Sequence, residues 1–452
     1  MDLGQAMPMV GAGDRAVSFE LFSRHIDPVW IAQALQATGT ATVRRRKLPA
    51  EYVVWIVVGM GLLRDRSIQE VVRHLDLVLP DAKKTPQGRG SATGSAVVQA
   101  RDRLGAEPLT ALFQQTARRW AGDSADALRW RGLVVYGVDG STLRVADTEE
   151  NEQTFGRPGS GRGRAGYPQL RLVALMVLRS HLLAGLVAGR CTDSELKLAE
   201  PMWETIPNDS LTIVDRGFIS CAVFHQIQSH GSRRHWLTRA KSNLKWRVVK
   251  QLGPKDHLVE LTVHRNARRI RPELPETLTV RAIQYQRRGF RPQILLTSLL
   301  DPEAYPAAEI AQMYHERWEL EMGFDEVKTH TLEREENMLR SRAPERVRQE
   351  LWGLAIGYNL VRLEMERVAR HAGVPPRRIS FRHALMLIRN FWVVTAWLCS
   401  PGVLPRRLDA LHEELALLIL PERRPRTYPR AVKIKMSNYP LKRETRPRRR
   451  LN

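Results

Sequence analysis

Residues Met313 to His330, MYHERWELEMGFDEVKTH, carry Glu316, Glu319, Glu321, Asp325 and Glu326 inside a chain whose formal charge is +23. On a straight α-helix advancing about 100° per residue, Tyr314, Arg317, Glu321 and Lys328 share one stripe about 60° wide and roughly 21 Å long. Glu316, Glu319 and Glu326 face the other way. The segment is either a surface helix laced with ion pairs or a helix that sets one carboxylate, Glu321, among cations and a phenol. Asp325 falls on the same stripe one turn later. Only one of the two acids can complete a site that needs contacts of ~2.1 Å to a small cation. Two further acids directly follow apolar, strand-like runs: Asp139 after LVVYGV and Asp215 after LTIV. Strand ends hold side chains rigidly while letting them reach solvent, and ligand groups of α/β sheets gather there. Asp139-Gly140 is equally a hairpin-turn dipeptide that would split LVVYGVDGSTLRVA into two short runs. Asp215, in DRGF, is neither a turn signal nor a good helix start. Three converging carboxylates repel unless a cation neutralises them. Oxygen donors suit Mg²⁺, and a pair of such ions supports in-line displacement at phosphorus.

The charge of the whole chain points to the same class of substrate. Its 452 residues hold 71 Lys and Arg against 48 Asp and Glu, and a pI near 10.6 implies a polyanionic partner, nucleic acid first. Apolar content of 43% and aromatic content of 7% are those of a globular protein, long enough for roughly two to four domains. No run approaches the ~18 apolar residues of a membrane span, and the N-terminus lacks the regions of a signal peptide. Cys191, Cys221 and Cys399 are the only cysteines and none is in a paired motif, which argues against disulfide scaffolds and zinc ribbons and for a reducing cytoplasm. The histidines show no metal-ligand spacing.

The elements that must position these acids follow from pattern. Residues 18 to 125 read as helices; SIQEVVRHLDLVL and TGSAVVQARDRLG, joined by a long basic Gly-rich stretch, resemble a helix-turn-helix only loosely. Strand-like runs follow at 133–146, 171–178, 181–189, 211–214 and 235–240, with helical patterns between them. Residues 243–292 read as an antiparallel β insertion, and QILLTSLL resumes the core before the Glu321 helix. From Pro344 to about Leu420 the pattern is helical. Residues 421–450 hold 12 Lys or Arg, 2 Glu and five prolines, the composition of a mobile basic tail. The loop at 147–169, with Arg162 and Arg164, suits a clamp on DNA backbone or a plain connection. The cluster RRRK at 44–47 is open in the same way, and Trp318 and Trp352 are expected in the core.

Tyr314, Arg317, Glu321 and Lys328 reproduce, with every spacing matched, the tyrosine-x2-arginine-x3-glutamate-x6-lysine signature of the insertion-sequence-four family of bacterial transposases. With GVDGST, IVDRGF and LLTSL, the chain resembles that family over residues 20 to about 395. The resemblance implies an α/β fold with a ribonuclease H-like core, a β-rich insertion, an α-helical N-terminal domain and a helical C-terminal region. The expected division is 1–125 helical and DNA-binding, 126–242 and 293–362 the two parts of the core, 243–292 the insertion, 363–420 helical and 421–452 the tail. It further implies Asp139, Asp215 and Glu321 as a metal-binding triad for two Mg²⁺, with Mn²⁺ able to substitute. Tyr314, Arg317 and Lys328 become DNA contacts, the partners double-stranded terminal inverted repeats and target DNA, and the assembly a homodimer. Relatives carry a tryptophan that stacks on a flipped base immediately before the strand matching ILLTSL. Here that position is Gln293, and Phe290 in RRGFRP is the nearest aromatic able to stack. Two other readings are open: an inactive DNA-binding protein that retains the fold, and a host nuclease. The intact triad disfavours the first and the full signature the second.

Overall fold

A computed structural model describes residues 25–41, 48–75, 93–125, 128–159, 165–287, 290–332, 338–398 and 403–422. Arg162, Arg164, the cluster at 44–47, most of the 81–94 connection and most of the basic tail lie outside the described residues. Five described helices precede the first strand: α1 (Pro28–Ala37), α2 (Ala50–Leu62), α3 (Ile68–His74), α4 (Gly94–Leu104) and α5 (Glu107–Ala125). Asp27 caps α1 by accepting from the Val29 N–H, with Pro28 in the first turn, and Thr93 caps α4 through the Ala96 N–H. α2 is apolar on every side and buried on every side from Val53 to Leu62.

The sheet begins with β1 (Val134–Val145), α6 (Glu149–Phe155), β2 (Gln169–Val177), β3 (Leu183–Arg190), α7 (Glu195–Leu198) and α8 (Glu200–Trp203). Next come β4 (Ser210–Val214), α9 (Cys221–Ser229), β5 (Arg234–Arg239), β6 (Arg247–Gly253), β7 (Asp256–Thr262) and α10 (Arg265–Ile270). β8 (Thr277–Tyr285) and β9 (Gln293–Thr297) lead into α11 (Ala307–His315), α12 (Trp318–Asp325) and a π-helical turn at Glu326–Thr331. The two-residue β10 (Met338–Leu339), α13 (Pro344–His371), α14 (Phe381–Leu398) and α15 (Leu404–Ala416) complete the described fold. One mixed sheet runs in the order β3-β2-β1-β4-β5-β9-β8-β7-β6, and β10 lies beside the far end of β1. β1, β4 and β5 are parallel neighbours; the pairs on either side of them are antiparallel.

Alternation along the strands feeds two cores, one on each face. Val134, Tyr136 and Val138 join Trp203, Phe224 and Trp236 under α8 and α9, where Phe224 and Trp236 stack 3.7 Å apart. Val135, Leu211 and Ile213 face the opposite way, toward Leu320 of α12 and Tyr358 of α13. The N-terminal helices are tied to this second side. Arg64, just past α2, forms a fully buried ion pair with Glu350 of α13, which also accepts from the N–H groups of Arg340 and Ser341. Arg101 of α4 donates to Gln349 at 2.9 Å.

Three expectations need correction. Asp139-Gly140 is not a turn: β1 is one strand of 12 residues, and its pairing with β2 continues through Asp139 opposite Ala174 and Gly140 opposite Val173. The β runs of 243–292 are antiparallel as expected, but they extend the main sheet through the β8–β9 pairing, and α10 interrupts them. The 147–169 stretch is not all loop, because Thr148 caps α6 by accepting from the Asn151 N–H. No helix among the described residues is long and apolar enough to cross a membrane.

Candidate active site

Asp139 and Asp215 stand at one level of the sheet. β1 and β4 stay in parallel register up to Val138 opposite Val214, and the two acids are the next residue on each strand. By alternation both point to the face that carries α12. Beyond Val138 that edge of β1 has no strand beside it until β10 pairs at Arg144, so the acids lie at a notch in the sheet. Asp215 also opens a short 3-10 turn, Arg216–Phe218, which is the local structure its sequence left undefined.

The helix above is not straight. After α11 the chain tightens, with N–H groups of Glu316, Arg317, Glu319 and Leu320 bonding three residues back, and after α12 it loosens into the π turn. The expectation of one continuous helical stripe is corrected accordingly. Tyr314, Arg317, Glu321 and Lys328 are delivered by two helices and a π turn. α12 rests directly on β1 because Gly137 lacks a side chain: a Cβ there would sit 2.4 Å from the Leu320 side chain. This close approach brings Glu321, the next residue, to the Arg317 guanidinium that also faces Asp139, two positions further along β1.

Arg317 spans the acids. Its guanidinium donates to Glu321 at 2.9 Å and stands 4.0 Å from the Asp139 carboxylate. Asp139 also accepts from the Gly140 N–H at 2.8 Å. Burial pushes the Asp139 carboxyl up to about 6; the Gly140 N–H and Arg317 oppose this, and the charges of Asp215 and Glu195 add to it. Lys328 is pulled down by burial and held up by the Asp139 charge. Tyr314 is buried, which raises its phenol; the nearby Arg317 and Arg239 oppose the rise and Asp215 adds to it. Asp325 instead accepts from Thr329 at 2.7 Å and lies beside His330. Phe290 is in the β8–β9 connection with Arg287 over its ring at 5.7 Å. Gln293 pairs with Tyr285 across those strands and accepts from Arg239 and from the Tyr285 hydroxyl.

Among the described residues no group of three or more His, Cys, Asp or Glu closes around a single ion. The donor chemistry nonetheless fits a hard cation. Two carboxylates adjoin on neighbouring strands, one of them hard to ionise because of burial and the charge beside it, and a third, Glu321, is paired with Arg317. The folded-state value of Asp139 lies above the ordinary 3.8. Its contribution to metal-free stability is therefore complete below about pH 4 and lost as pH rises through about 6. Asp139→Asn is expected to stabilise the metal-free protein at pH 8 by about 2 kcal/mol and to flatten the pH profile. Denaturant titrations from pH 4 to 8 read both, and parallel profiles for the two proteins would contradict the assignment.

Two features escaped sequence reasoning. Trp318, expected in the core, is 48% exposed with its ring 5.6 Å from the Arg317 guanidinium; its position next to Arg317 was the available signal. Trp352 is buried against Phe113, as expected. Behind the site, Glu326 is buried with Arg362, His181 and the Tyr358 hydroxyl around it. Burial alone would raise its carboxyl, but these partners hold it down to about 2.

Comparison with known proteins bears on this geometry. A family described as "Insertion element 4 transposase N-terminal" matches residues 16–114, and one described as "Transposase DDE domain" matches residues 130–360. The transposase InsG for insertion sequence element IS4 of Escherichia coli is 36% identical over 442 residues, 97% of this chain and 98% of that protein. The chain belongs to the insertion-sequence-four family of DDE transposases. It is a polynucleotidyl transferase that moves an insertion sequence, and DNA is its partner. The putative transposase InsZ of the same bacterium is 36% identical over 237 residues, 52% of this chain and 76% of that one. A piggyBac transposase synaptic complex with hairpin DNA overlays at a TM-score of 0.39 with 12% identity, covering 92% of this chain and 87% of that one, too loose a likeness to fix the fold. Transposases of the DDE class work with divalent metal ions.

Proposed function

We propose that this DDE transposase binds the terminal inverted repeats of its element as a homodimer in the bacterial cytoplasm and cuts them through Asp139, Asp215 and Glu321. On this reading β1, β2, β3, β4 and β5 with α12 form a ribonuclease H-like core, residues 243–292 its insertion, and the N-terminal helices the part that reads the element's ends. The observation that carries the proposal is the Arg317 guanidinium between Asp139 and Glu321, with Asp215 in register on the next strand. The three acids would hold two Mg²⁺, or Mn²⁺ in their place. Bound there, the ions supply an activated water or 3′ hydroxyl and charge stabilisation for the leaving oxygen.

The remaining residues act on DNA. Arg317 would offer its fork to a phosphate in place of Glu321, and Lys328 would add a point charge. Burial keeps the Tyr314 phenol protonated at neutral pH, so its hydroxyl can donate to a phosphate oxygen. Trp318 offers a face for a base at the cleavage site. Phe290, Arg162 and Arg164 are assigned to outer DNA contacts.

The test is incubation of protein, Mg²⁺ and duplexes carrying the element's ends. Nicks at the element boundary are expected, absent with chelator and absent in Asp139→Asn and Asp215→Asn, which still bind the ends. Boundary nicking by either variant at more than a few per cent of the wild-type rate would exclude the assignment. Trp318→Ala should weaken end binding by about 1–3 kcal/mol without changing the slope of log K against log salt. A changed slope with unchanged affinity at low salt would make Trp318 a support for Arg317 and not a stacking surface.

A further inference from the structure

The notch beside Asp139 has another acid at its rim. A Cβ on Gly140 would sit 2.3 Å from the Glu195 Cδ and 2.5 Å from its Oε1, so the Glu195 carboxylate lies directly on the β1 backbone one residue beyond Asp139. Gly140 points to the face opposite Asp139, and Glu195 therefore arrives from the other side of the sheet, where the edge of β1 has no strand beside it. Its delivery is fixed. Ser194 caps α7 by accepting from the Lys197 N–H. Asp193 accepts from the Arg190 N–H at 2.8 Å, and Arg171 donates to the Asp193 carbonyl at 2.9 Å.

A carboxylate packed on bare backbone next to another carboxylate needs compensation. Among the described residues the Glu195 carboxylate has no hydrogen bond; its side chain is 39% exposed, and its one ion-pair partner, Arg171, stands at the limit of 4.0 Å. A structural role as the first residue of a four-residue helix would not require the carboxylate to lie on Gly140. We infer that Glu195 is a fourth carboxylate of the metal site, reaching the ions held by Asp139 and Asp215 through the open edge of β1. This rests on the metal-site reading above. The charge of Glu195 is already among those felt by Asp139.

The experiment is calorimetric titration of the full chain with Mn²⁺ alone, with the thermal midpoint of the metal-free protein measured alongside. Glu195→Gln is expected to raise the half-saturating Mn²⁺ concentration about tenfold or more, with the metal-free midpoint unchanged or raised, because a charge beside Asp139 is removed. Asp139→Asn is expected to lose saturable binding. Gly140→Ala displaces the Glu195 carboxylate and should raise the Mn²⁺ requirement in the wild-type background, but add nothing in a Glu195→Ala background. If Glu195→Gln binds Mn²⁺ like wild type while Asp139→Asn does not, the fourth carboxylate is refuted and the triad stands. If Asp139→Asn also binds like wild type, the metal-site reading itself fails and this inference falls with it.

Discussion

Glu321→Gln is expected to abolish metal-dependent nicking at the element's ends, whereas Asp325→Asn keeps most of it. The two acids are one turn apart, about 6 Å along the axis, more than a side chain can make up at a site needing ~2.1 Å contacts. Glu321 shares the Arg317 guanidinium with Asp139. Asp325 is engaged by Thr329 and His330, outside that group. The carboxamide keeps the shape of Glu321 and its ability to accept from Arg317, so folding and end binding should survive while the negative charge is lost. Loss of about three orders of magnitude in rate corresponds to roughly 4 kcal/mol of transition-state stabilisation. Single-turnover nicking on end-bearing duplexes measures it. Full activity in Glu321→Gln with loss in Asp325→Asn would move the third acid one turn along the helix.

The second large effect concerns the support behind the site. Arg362 and Glu326 are both buried, and Glu326 is ionised with Arg362, His181 and Tyr358 as its partners. Removing the cation leaves a buried carboxylate uncompensated, so Arg362→Met should cost about 3–5 kcal/mol in denaturant unfolding. The double variant Arg362→Met/Glu326→Gln should recover much of that, because no charge is then stranded. The π turn begins at Glu326 and carries Lys328. The single variant should therefore also lower nicking at temperatures where the protein stays folded. A cost below about 1 kcal/mol would mean that water reaches Glu326 in solution.

The apolar runs before Asp139 and Asp215 were enough to find β1 and β4, because buried parallel strands read as continuous Val, Ile and Leu. The same local reading left Asp139-Gly140 as a possible turn. What removes the turn is pairing with β2 through Ala174 and Val173, a register set by residues more than thirty positions away. The stripe from Tyr314 to Lys328 was legible as spacing, but the tightening at Glu316–Arg317 and the π turn at Glu326 were not. They depend on what the helix meets. Glu319 and Glu326 read only as an acidic face turned away from the Glu321 stripe, and both meet buried His181, 138 and 145 residues away in sequence. Trp318 was misplaced for a related reason: helical phase says which residues share a side, and only packing says which side is covered.

The central claim, that Asp139, Asp215 and Glu321 hold the reacting ions, is tested most directly by anomalous scattering from Mn²⁺ in crystals of the protein bound to its end DNA. Anomalous peaks are expected in contact with the carboxylates of Asp139 and Asp215 and, with Arg317 turned to the DNA, of Glu321. Saturating Mn²⁺ with no peak at Asp139 and Asp215, or with the peak carried by other residues, would contradict it.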